Sequence, residues 1–124
     1  MKIRSITSFV TPIPNTNELL LAPMSAFSRE LVKACQDAGL EVESTRLALP
    51  PLLTWLGNEP SEYQKIIQNF EWLARNYGWL YLSAGPVTPD RPDAYDLIPE
   101  LLAATTDVFF SAVLADKKAV YPAA

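Results

Sequence analysis

Histidine is absent from this sequence, and cysteine occurs once, as Cys35. A zinc site built on His and Cys is therefore excluded, as is a disulfide within the chain, and any protein-held metal would have only carboxylates as ligands. Charge is scarce too: charged residues make up 19% of the chain, against roughly 25% in an ordinary soluble domain. Ten basic and fourteen acidic residues give a net charge of −4 with no basic run, which argues against a nucleic-acid partner. No stretch of about 18 uninterrupted apolar residues occurs, and MKIRSITSFV carries neither the long apolar core nor the small-residue cleavage site of a secretory leader. A cytoplasmic location without a membrane partner is expected. Gly-rich phosphate loops, nucleophile elbows and zinc-binding His pairs are missing as well. No cofactor is expected and no reaction can be assigned.

What is present is apolar. Of 124 residues, 49% are hydrophobic, enough for one real core and too few for two ordinary domains. Residues 1–124 are expected to form a single α/β unit. IRSITSFV (residues 3–10) is rich in β-branched and aromatic residues and reads as a strand stopped by Thr11-Pro12-Ile13-Pro14-Asn15. From about Pro23 to Ala38, Phe27, Leu31, Val32, Cys35 and Ala38 fall on one helical face, and Gly39 closes the helix. LEVESTRLAL (residues 40–49) reads as a second strand, followed by a short helical turn in LLTWL (residues 52–56). Pro60 suits the first turn of a second helix, in which Tyr63, Ile66, Ile67, Phe70, Leu73, Ala74 and Tyr77 recur at helical spacing up to Gly78. WLYLSA (79–84) and VFFSAVL (108–114) are continuous apolar runs, as expected of strands buried on both faces. A third helix between about Asp93 and Thr105 must either kink at Pro99 or begin near it. The alternation implies about four mainly parallel strands joined by three helices.

Ligands of parallel sheets gather beyond the carboxyl ends of the strands, where helix amino termini converge. The segment YLSAGPV then places Ser83 at a strand end, with Gly85 allowing close backbone approach; the plainer reading is that Gly85-Pro86 only ends the strand. Thr7, Ser8 and Thr11 pose the same alternative at the end of the first strand. Arg46, in STRLALPP, could fork onto a carboxylate or phosphate, or pair internally with Glu43 or Asp90. The candidate ligand-binding set is Arg46, Ser83, Gly85 and Ser8. Ser111 reads as a small core hydroxyl and Cys35 as a buried, inert thiol. Asp90, Asp93 and Asp96 recur at steps of three, which suits helix-dipole complementation better than a cation site. The aromatics Trp55, Tyr63, Phe70, Tyr77 and Trp79 read as core, while Trp72 lies off the main helical face and is a candidate contact residue.

MKIRSITSFV, AGLEVESTRLALPP, YLSAGPV and IPELLAATTDVFFSAVLA resemble, in that order, the amino-terminal part of an uncharacterised prokaryotic family, domain of unknown function 711. The match is weakest over 13–21 and 51–62. The resemblance implies the first strands of a ten-stranded α/β barrel like that of pyruvate formate-lyase and ribonucleotide reductase, with AVYPAA (119–124) leading into a further helix. Family members are several times longer, so a truncated or split subunit is expected. The glycine loop and barrel cysteines of radical chemistry have no counterpart here, and a radical mechanism is not carried over. Two functional readings remain: a protein or subunit with a small anionic-ligand site at its strand ends, or a non-catalytic assembly module. The second completes its sheet with another chain, as a homo-oligomer or with a second protein. A third, weaker reading is a phosphate- or acid-binding domain without chemistry.

Overall fold

The computed structural model describes residues 1–13 and 17–120. Pro14 and Asn15 of the first strand's stop, and Tyr121 to Ala124 of the segment read as leading into a further helix, lie outside the described residues. The fold is α/β with all strand pairs of both sheets parallel. The first two expected strands are each interrupted once. The first becomes β1 (Lys2–Ile3) and β2 (Ile6–Phe9), the second β3 (Glu41–Val42) and β4 (Thr45–Ala48). Their register is the same on both sides of the break, Lys2 opposite Glu41 and Ile6 opposite Thr45. The gap is bridged by Glu43 N–H to the Ile3 carbonyl at 2.9 Å, Ile6 N–H to the Ser44 carbonyl at 3.1 Å and Ser44 Oγ to the Arg4 carbonyl at 2.8 Å.

Next come β5 (Tyr81–Val87) and β6 (Val108–Ala112), in the order β2-β4-β5-β6. Strand order follows chain order with no reversal, so right-handed crossovers carry successive helices to the same side of the sheet. Burial confirms this. Leu47, Leu82, Ala84 and Val108 are buried under α1 (Asn17–Asp37), α2 (Tyr63–Asn76) and α3 (Leu97–Ala103). The alternate residues Thr7, Phe9, Phe109 and Ser111 are exposed. Phe9 keeps 78% of its surface and Phe109 49%. One face of the sheet is thus core and the other is bare.

α2 is the element best specified by its residues. Tyr63, Ile67, Phe70, Leu73 and Ala74 are buried in one stripe, with Ile66 and Tyr77 packed at its margins, and Trp72 points off it as the spacing predicted. Gly78 ends it with positive φ, as Gly39 ends α1. The Tyr63 hydroxyl donates to the Gly57 carbonyl at 2.9 Å, pinning the loop before the helix. Tyr63→Phe should lower stability by about 0.5–1.5 kcal/mol, read as a fall in denaturant midpoint at unchanged slope.

Several expectations are corrected. α1 begins at Asn17 and runs through Pro23, which removes one helical donor but leaves enough bonds on either side. Its buried face is Leu21, Ser25 and Ser28, while Phe27 keeps 67% of its surface. Cys35 is half-buried. β5 does not stop at Gly85-Pro86; it continues to Val87 through a register shift between Ala84 and Val87, with a cis Gly85–Pro86 bond inside the strand. Pro99 agrees with one of its two expected placements: it lies near the start of α3, in the first turn, where its missing donor has no helical acceptor.

Candidate functional site

Register decides which candidates share a face. Thr7 lies opposite Arg46, and Arg46 opposite Tyr81; Ala48 pairs with Ser83, and Ser83 with Phe109. Side chains of registered parallel neighbours point the same way, so Arg46, Ser83 and the aromatic pair Tyr81 and Phe109 stand together on the bare face. Ser8 is opposite Leu47 and belongs to the helix-covered side. The structure therefore brings Arg46 and Ser83 together and separates Ser8 from them. Thr7 takes the position on the bare face that Ser8 was expected to hold.

Arg46 is the second of the four residues of β4, nearer mid-sheet than the carboxyl end of its strand. Its guanidinium carbon lies 5.3 Å from the centroid of the Phe109 ring, which meets Tyr81 edge-on at 5.2 Å. The cation sits on the negative face of one aromatic ring, itself held by a second. Its two anticipated acid partners are engaged elsewhere: Glu43 lies 3.9 Å from Lys2 Nζ, and Asp90 accepts a hydrogen bond from Thr88 Oγ1. Among the described residues Arg46 has no ion pair, and its Nε is sealed from solvent without a hydrogen-bond partner. A buried donor left unmatched in this way is costly.

Gly85 has a different role from the one its motif suggested. Its φ is +121°, and a Cβ there would meet the Ser111 carbonyl oxygen at 3.1 Å. The close approach that glycine permits is between β5 and β6, at the register shift. Ser111 is exposed on the bare face, not in the core.

A crevice does exist beyond the carboxyl ends of β4 and β5, about 230 Å³ in volume, walled by Leu52, Val87 and Ala94 with Thr88, Asp90 and Arg91 among its lining. Its polar groups largely satisfy one another. Arg91 hydrogen-bonds Asp93 at 3.2 Å, and that bond holds the Asp93 carboxyl below the usual carboxylate range. None of Arg46, Ser83, Gly85 and Ser8 lines it. Among the described residues, no three His, Cys, Asp or Glu side chains gather as a metal would need. Among the described residues no helix is long and apolar enough to cross a membrane.

Sequence reasoning missed Tyr81 and Phe109. The signal was available in the alternation of β4: Thr45, Leu47 and Leu49 form one series and Arg46 and Ala48 the other, so a charged residue inside an apolar strand marks the uncovered side. No model of a known protein family matches the chain, and a search of curated proteins finds no match.

Proposed function

We propose that this chain forms one wall of a larger parallel α/β assembly and that Arg46, on the bare face of its sheet, binds a small anionic ligand in the space so enclosed. The observation that carries this reading is Arg46 itself: an always-charged fork held over Phe109, with a solvent-sealed Nε and no acid partner among the described residues. A carboxylate or phosphate would supply the missing acceptor and a counter-charge in one step. Thr7 and Tyr81, its neighbours in register, and Ser83, two residues further along β5, offer hydroxyls on the same face. The resemblance to domain of unknown function 711 supports the same arrangement, because strands in chain order with helices on one side are what the first part of a barrel requires. No reaction is proposed, for among the described residues no general base with an oriented partner adjoins Arg46.

The test is a thermal-shift screen of small carboxylates and phosphomonoesters on the wild-type protein and on Arg46→Met. Methionine keeps the apolar contact with Phe109 and removes the fork. At least one anion should raise the melting temperature of the wild type and leave the variant unmoved. Identical responses from the two proteins would remove the ligand reading.

A second reading, assembly without a ligand, draws on the exposure of Phe9 and Phe109 on the bare face. Two large aromatic surfaces on an uncovered sheet are unusual for a free monomer. It expects a native mass above that of one chain, falling to one chain on Phe9→Ser with Phe109→Ser, and no anion response.

A further inference from the structure

α1 buries serines where a helix packed on a sheet normally buries aliphatic side chains. Ser25 is satisfied, donating to the Tyr77 carbonyl at 2.5 Å. Ser28 keeps only 5% of its surface; its hydroxyl has no hydrogen-bond partner among the described residues and is reachable from the solvent side. Ser28 lines a cavity of about 230 Å³ between α1 and the amino ends of β4 and β5, together with Arg29, Lys33, Gln36, Thr45 and Gly78. Thr45 lies on the helix-covered series of β4, so this cavity is on the opposite face of the sheet from Arg46.

The charge in this cavity is of one sign. Arg29 and Lys33 are one helical turn apart, no carboxylate lines the cavity, and neither cation has an ion pair among the described residues. Like charges at this spacing repel across a helix face, so an anion between them would relieve a cost that the free protein carries. Arg29 is also held in place. Its Nη2 lies 3.4 Å from the Tyr77 carbonyl, and a methyl group at Gly78 would meet its Nε at 3.7 Å. A fork bonded through one nitrogen, a second cation and an unpaired hydroxyl together are suited to a compact oxyanion, and the Nε1 of Trp79, which also lines the cavity, is sealed without a hydrogen-bond partner.

We propose that this cavity binds a phosphate group, free or borne on a small molecule, between Arg29 and Lys33 with the Ser28 hydroxyl donating to it. The site is independent of the Arg46 reading, since the two lie on opposite faces. Calorimetric titration with sodium phosphate at fixed ionic strength, on the wild type, on Arg29→Gln with Lys33→Gln, on Ser28→Ala and on Arg46→Met, tests it. Saturable one-to-one binding is expected for the wild type and for Arg46→Met. Affinity should fall about tenfold or more in the double variant, and severalfold in Ser28→Ala. Glycerol phosphate in place of phosphate identifies the source: tighter binding assigns a phosphorylated small molecule, and equal or weaker binding the free ion, either of which upholds the site. Absence of binding by the wild type, unchanged affinity in the double variant, or loss of binding in Arg46→Met alone would overturn it.

Discussion

Leu82→Ala should cost about 2–5 kcal/mol of stability, whereas Phe109→Ser, one strand away on the other face, should change it by less than about 0.5 kcal/mol in the dilute monomer. Leu82 keeps 1% of its surface and sits between Leu47 and Val108 in register, with α2 above β5. Truncation leaves a cavity that the surrounding β-sheet cannot collapse to fill, because both ladder partners are themselves fixed by backbone bonds. Phe109 has half its surface in water already, and its contacts are one ring and one guanidinium. The pair of variants compares the two faces of one sheet directly. Urea unfolding of each against the wild type gives both numbers, and similar losses from the two would mean that the face carrying Phe109 is sheltered after all.

Gly85→Ala is expected to be nearly as damaging. A side chain at φ +121° adopts a conformation essentially reserved for glycine, at roughly 1–3 kcal/mol, and the new methyl group would also press on the Ser111 carbonyl oxygen at 3.1 Å. That oxygen belongs to the neighbouring strand and cannot swing aside. Gly39→Ala is the control: its φ is also positive, but nothing lies within 4 Å of the position a Cβ would take. Melting temperatures should fall by about 4 °C per kcal/mol, with Gly85→Ala falling clearly further than Gly39→Ala. Equal falls would mean that the β5–β6 approach is looser than the structure has it.

The parts of the fold governed by period and punctuation were legible in the residues. α2 was read almost in full because seven apolar positions recur at helical spacing and Gly78 closes them. The parallel class followed from strand and helix alternation. α1 was misread for a physical reason: its buried stripe contains Ser25 and Ser28, so hydrophobicity pointed to the Phe27 and Leu31 side, which faces outward. β5 was cut short because Gly85-Pro86 is ordinarily a turn, and only the facing β6 backbone reveals that it serves inside a strand. The site was half legible. Arg46 stands out as a lone charge within an apolar strand, and the alternation of β4 places it on the open face, while the general rule that ligands gather at strand ends points elsewhere. The hydroxyl of Ser8 marks it as a candidate, but its register opposite Leu47 puts it on the helix-covered side.

The consequence of that one-sided packing extends beyond stability. A parallel sheet is ordinarily covered on both faces, and here the helices supply one cover. The uncovered face carries Arg46, held over Phe109, and among the described residues of these four strands no other cationic side chain faces that side. A covering chain would desolvate that guanidinium and strengthen whatever anion it holds. Under the proposed function, assembly and ligand binding would be coupled through a single residue, and a ligand that raises stability should also raise the affinity of a completing chain.

Hydroxyl-radical footprinting of the monomer, isolated by dilution and verified by light scattering, tests the one-faced sheet most directly. The account predicts rapid oxidation of Phe9 and Phe109 and near silence from Phe70 and Trp79, which are buried in the core. Protection of Phe9 and Phe109 equal to that of Phe70 in the monomer would contradict it.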